Sequence, residues 1–169
     1  MPFIVSALPA APFQTLFGLS DAALATRGAM RRIVDAKPGF PCRVSLQDAE
    51  PGETVLLLNY EHQPADTPFR ASHAIYVREG QAAAELSEDE IPTLFRHRMM
   101  SLRAFSDEGM MLAAEVAPGA ELEVAVERLL ATPQVAYLHA HYAAMGCYAA
   151  RIDRPDARPA ASMMSAASG

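Results

Sequence analysis

The run TVLLLNYEH at residues 54–62 constrains this chain most. Four consecutive apolar side chains follow a Pro-Gly-Glu turn, and the polar residues behind them alternate with Tyr60 and His62. The run is too short for an amphipathic helix to bury a stripe, so it reads as a strand. In a strand Leu56, Leu58, Tyr60 and His62 share one face. An aromatic ring and an imidazole therefore extend an otherwise apolar surface.

Other segments repeat the pattern. Residues 3–8 and 29–36 read as strands, 42–46 as a short extended piece, and 72–78 as a strand with His73, Ile75 and Val77 on one face. Residues 96–105 and 109–116 form a hairpin across SDEG, and 135–142 pairs with 147–154 around AAMG. Helix signals are fewer. Ser20 caps a short helix that Gly28 ends, and Ser87 caps an acidic turn before Pro92. The best helix lies in PGAELEVAVERLLATP, where Leu122, Ala125, Val126 and Leu129 make one stripe. Strands in runs, without regular strand–helix alternation, predict an α+β fold: a single domain over residues 1–154 with a mostly antiparallel, twisted sheet and two or three helices. Residues 155–169, small, polar and broken by proline, are expected to be a disordered tail.

The net charge of −6, with scattered arginines, argues against a nucleic-acid partner, which needs a basic stripe to neutralise phosphate. No apolar run approaches the roughly 20 residues of a membrane span. The N-terminus lacks a charged leader and is interrupted by Pro2, Pro9 and Pro12, so a cytoplasmic location is expected. In that compartment Cys42 and Cys147 are expected to be free thiols.

Several residues can carry chemistry. Cys42 precedes Arg43, but strand neighbours point to opposite faces, so a buried apolar Cys42 is the preferred reading. Cys147 lies just beyond the Gly146 turn from His141, and a cysteine–histidine pair is the minimum for thiol catalysis, with Asn59 or Asp153 as orienting groups. In YLHAHY, His139 and His141 share a strand face and can supply two metal ligands, with a third from His62 or Cys147. The spacing is not that of a zincin helix. The preferred reading leaves both imidazoles half-exposed and bonded to backbone or water, and no metal or cofactor is predicted. Arg43 and Arg70, with Tyr60 and His73 nearby, can clamp a small anion, because a guanidinium fork matches a carboxylate or phosphate. The catalytic candidates are thus Cys42, His62, His139, His141 and Cys147. The ligand-binding candidates are Arg43, Tyr60, Arg70 and His73.

The order of PGFPCRVSLQDAEPGE, LLLNYEHQPADTPFRASHAIYV, LRAF and VAYLHAHYAAMGCYAARIDR resembles the bacterial family catalogued as domain of unknown function 1203. Pro41-Cys42-Arg43, Gly52-Glu53 and Gly146-Cys147 carry the likeness. The resemblance implies no particular activity, cofactor or site role. Two functions are expected from the residues themselves. One is a binder or enzyme for a small anionic molecule, in a pocket of Arg, His and Cys. The other is an interaction module that forms a homodimer through a strand face or edge.

Overall fold

A computed structural model of the chain describes residues 1–157. Its elements are β1 (Ile4–Ser6), α1 (Ala11–Gln14), α2 (Asp21–Ala25), β2 (Ala29–Ile33), β3 (Thr54–Gln63) and β4 (Ala71–Arg78), then α3 (Thr93–Arg96), β5 (Met99–Phe105), β6 (Met111–Pro118), α4 (Leu122–Leu130), β7 (Tyr137–Tyr142) and β8 (Tyr148–Asp153). The strands form a five-stranded sheet in the order β1-β8-β7-β5-β6 and a three-stranded sheet in the order β2-β3-β4. Every pairing between these strands is antiparallel. The α+β class and the antiparallel pairing are as the sequence predicts. The division into two sheets is new information.

The five-stranded sheet is covered on both faces at its centre, along β7. Against one face lies α4, preceded by a 3-10 turn at Gly119–Glu121. Its stripe of Leu122, Ala125, Val126, Leu129 and Leu130 is buried against Met100, Leu102, Ala104, Leu138, Ala140 and Ile152. Each leucine fully removed from water contributes roughly 1.5–3 kcal/mol. The turn itself demands glycine at 119, where a Cβ would lie 1.8 Å from the Phe95 carbonyl oxygen. The three-stranded sheet meets the other face through Ile75, Val77, Cys42, Val44 and Tyr148. Every residue of β7 is therefore buried.

Local signals hold where chemistry fixes them. Ser20 Oγ accepts the Ala23 N–H at 3.2 Å, and Gly28 ends that helical segment at φ 66°. Two expectations fail locally. Residues 42–46 are not extended: Pro41 and Cys42 make isolated bridges to Asp48 and Tyr76, and the chain then turns to Leu46 at φ 48°. The turn wins because the Arg43 N–H bonds once to the Tyr76 carbonyl of β4 at 3.0 Å and the Ser45 N–H then finds the Cys42 sulfur, so no ladder continues past Arg43. Ser87 caps no helix before Pro92. Its N–H is held by the Glu90 carboxylate at 2.9 Å, and α3 begins after the proline, which supplies a compatible φ of −52°. Residues 155–157 form a 3-10 turn. The remainder of the expected tail lies outside the described residues. Among the described residues no helix is long and apolar enough to cross a membrane.

Candidate functional site

The seam between the two sheets holds four imidazoles. His62 comes from the end of β3, where a register shift between Glu61 and Gln63 interrupts the pairing with β4. The bulge sends two successive side chains inward, His62 and Gln63, where a regular strand would bury only one. His73 stands opposite Tyr60 on β4. His139 and His141 come from β7, two residues apart on the face turned to the smaller sheet. The preferred sequence reading made this pair half-exposed. Instead His139 is 2% and His141 0% exposed, because the second sheet covers the face they occupy.

The nitrogens converge. His62 Nδ1 lies 3.3 Å from His139 Nδ1, and His62 Nε2 lies 2.7 Å from His73 Nδ1. One nitrogen each from His62, His139 and His141 fits within a 4.8 Å span. His141 Nδ1 faces the Gly146 carbonyl at 2.9 Å. A carbonyl only accepts, so Nδ1 carries the proton, and Nε2 of the neutral ring is a bare lone pair. That Nε2 is buried and has no hydrogen-bond partner among the described residues. An orphan of this kind normally costs free energy unless something outside the chain completes it.

Electrostatics keeps the rings neutral. Burial pushes the pKa of His62 down to about 4, with His73 and Arg103 adding to the shift. Burial also lowers His139 to about 2, helped by its imidazole neighbours and by Arg151 and Arg103. His141 falls to about 3 by burial, partly opposed by its bond to Gly146. His73 is less buried and shifts in the same direction. Neutral imidazoles are the form that ligates a metal. Aromatic rings frame the group: Tyr148 stacks on His62 at 4.7 Å, and Phe105 packs on His139 at 5.0 Å.

The other sequence candidates are dispersed. Cys42 is buried and its sulfur accepts the N–H groups of Ser45 and Arg78, each at 3.3 Å. Cys147 points its sulfur at the Met145 carbonyl, 3.9 Å away, while the Nδ1 of His141 is engaged with Gly146. Both thiols are free. Arg43 is buried, donating to the Tyr148 carbonyl at 2.8 Å and to that of Pro41, with its guanidinium 4.9 Å from the Tyr142 ring centre. Burial lowers its pKa. Arg70 is exposed and donates to Glu61 at 2.6 Å. Tyr60 is half-buried, 6.5 Å from Tyr148, and burial raises its pKa. Asn59 is exposed, and Asp153 is gripped by Arg151 at 2.8–3.0 Å.

The sequence reading missed Arg103. It lies directly opposite His139 in the β5–β7 ladder, and cross-strand partners lie side by side on one face. Strand alternation in LRAF contains that parity, but only the pairing register ties it to YLHAHY.

No curated protein and no solved structure matches the chain. A family model described as "Protein of unknown function (DUF1203)" matches residues 39–154, a span that contains the four clustered histidines and Arg103. The chain belongs to that family.

Proposed function

We propose that the imidazole cluster is a centre for a divalent first-row transition metal, and that the protein binds a small anionic molecule there. The unpartnered, buried Nε2 of His141 carries this reading. His62 and His139 present nitrogens 3.3 Å apart. Two ligands each about 2.05 Å from a tetrahedral ion stand roughly 3.3 Å from one another, so that edge of the site already has the required length. The third nitrogen needs only a modest inward movement from within the 4.8 Å span.

The surroundings supply the outer support that such ligands use. The Gly146 carbonyl holds His141 in the Nδ1–H tautomer. If His62 ligates through Nδ1, its Nε2–H donates to His73 Nδ1, which fixes the ring. Three histidines leave a fourth position open, the arrangement of catalytic and not of structural zinc sites. A bound dication would supply Lewis acidity and attract an anion. His73 is only partly buried, which supports ligand entry from its side of the cluster.

The test is metal content. Purified protein incubated with Co(II) or Zn(II) and desalted is expected to retain about one ion per chain, and the Co(II) form to show tetrahedral visible bands. His62→Ala, His139→Ala and His141→Ala should each abolish stoichiometric retention. His73→Ala should weaken it about 10–100-fold, as loss of an outer partner does. Retention by wild type no greater than by the triple variant would overturn the reading.

A further inference from the structure

Two arginines flank His139 in one row across the larger sheet: Arg151 on β8 and Arg103 on β5. Arg151 is fully occupied. It forks onto Asp153 and lies 3.8 Å from the Tyr137 ring centre. Arg103 makes no ion pair and no hydrogen bond among the described residues, although it is only partly exposed. The remaining shielded arginines among the described residues, Arg31, Arg43, Arg78, Arg98 and Arg154, all have partners. Arg103 is also close enough to depress all four imidazoles electrostatically. A half-desolvated guanidinium beside neutral rings calls for an anion.

Beyond Arg103 the same sheet face is uncovered. Ala114 stands opposite Arg103, and Val116 opposite Ser101. Val116 is 58% and Met99 50% exposed. By strand alternation Met99, Ser101 and Arg103 share this face. An apolar strip thus begins where the free cation sits.

Resting on the metal reading above, the geometry points to a small carboxylate with an aliphatic chain as the ligand, its head between the imidazole cluster and Arg103 and its chain along Ala114, Val116 and Met99. One guanidinium suits a monoanion that its fork can grip through two oxygens. The strip favours carbon over a second charged group. Neighbouring strands lie roughly 4.8 Å apart, so a single carboxylate reaches from the His139 side to Arg103.

Isothermal titration of Co(II)-loaded and metal-free protein with acetate, hexanoate, octanoate and inorganic phosphate tests this. Octanoate is expected to bind the loaded protein at least about tenfold tighter than acetate, since each buried methylene adds to affinity. Arg103→Gln should weaken octanoate about tenfold or more with Co(II) content unchanged, and Arg103→Lys should restore part of it. Val116→Asp should remove the gain from chain length. Equal octanoate affinity in wild type and Arg103→Gln, no dependence on chain length, or phosphate binding tighter than octanoate would each overturn the assignment. If wild type retains no Co(II) yet binds octanoate through Arg103, the metal reading fails and the carboxylate assignment stands. Retained Co(II) with no carboxylate response gives the reverse. Sedimentation of the Val116→Asp protein closes the remaining route: loss of a dimer with octanoate binding unaltered would make the strip an interface between copies and overturn its role here.

Discussion

His141 shows how a single backbone carbonyl selects the chemistry of a ring. The Gly146 oxygen accepts a hydrogen bond from the Nδ1–H, and the tight turn that presents this oxygen exists because Gly146 adopts φ 74°. The buried rings also set an acid limit. The folded pKa values of His62, His139 and His141 lie near 4, 2 and 3, below the ordinary 6.5 of an unfolded histidine. Below about pH 6.5 the unfolded chain therefore binds protons that the folded one refuses. Their contribution to stability is complete above that pH and declines as pH falls toward the folded values. The slope is at most roughly 1.4 kcal/mol per pH unit for each ring. Urea melts of metal-free protein between pH 7 and 5, ahead of most carboxylate titration, should show this loss, and His139→Phe should flatten it. Equal midpoints across that range would contradict the assigned neutral burial.

At the scale of elements, the two faces of the larger sheet have different tasks. The α4 face is a packing surface. Leu130→Ala, at a fully buried position, should cost about 2–5 kcal/mol. The turn that leads into α4 is as demanding. Gly119→Ala would force a methyl against the Phe95 carbonyl and should cost roughly 1–3 kcal/mol despite adding one carbon. Chemical denaturation of both variants checks the pair, and Co(II) retention at low denaturant should be unchanged in each, because neither side chain borders the imidazoles. The elements themselves were legible wherever periodicity or capping is local: the α4 stripe, the Ser20 cap, the 54–62 strand. The turn at 43–45 was not, because its donors are met by the Cys42 sulfur and by contacts far along the chain, such as Arg43 to Tyr148. The site was half legible. YLHAHY places two rings on one face, but nothing local says that a second sheet covers that face or that a bulge turns His62 inward.

For the whole molecule, the cluster joins the sheets. His62 of β3 sets one ring nitrogen on His139 of β7 and the other on His73 of β4, so an ion held there would favour the docked arrangement over the unfolded chain. Saturating Co(II) at about 100 times its dissociation constant should add roughly 2.7 kcal/mol of stability. Thermal melts with and without the ion would show it, and the shift should vanish in His62→Ala. Arg43 makes a second, metal-independent tie, running from the turn after Cys42 to the β8 carbonyl of Tyr148.

The contact between His62 and His139 closes a separation of 77 residues. During synthesis the first sheet's histidines leave the ribosome long before their counterparts exist. Chain closure over such a distance is entropically slow compared with making a hairpin or a helix. Ion capture should then be among the last events of maturation, following the arrival of β7 and β8 in the middle of the larger sheet.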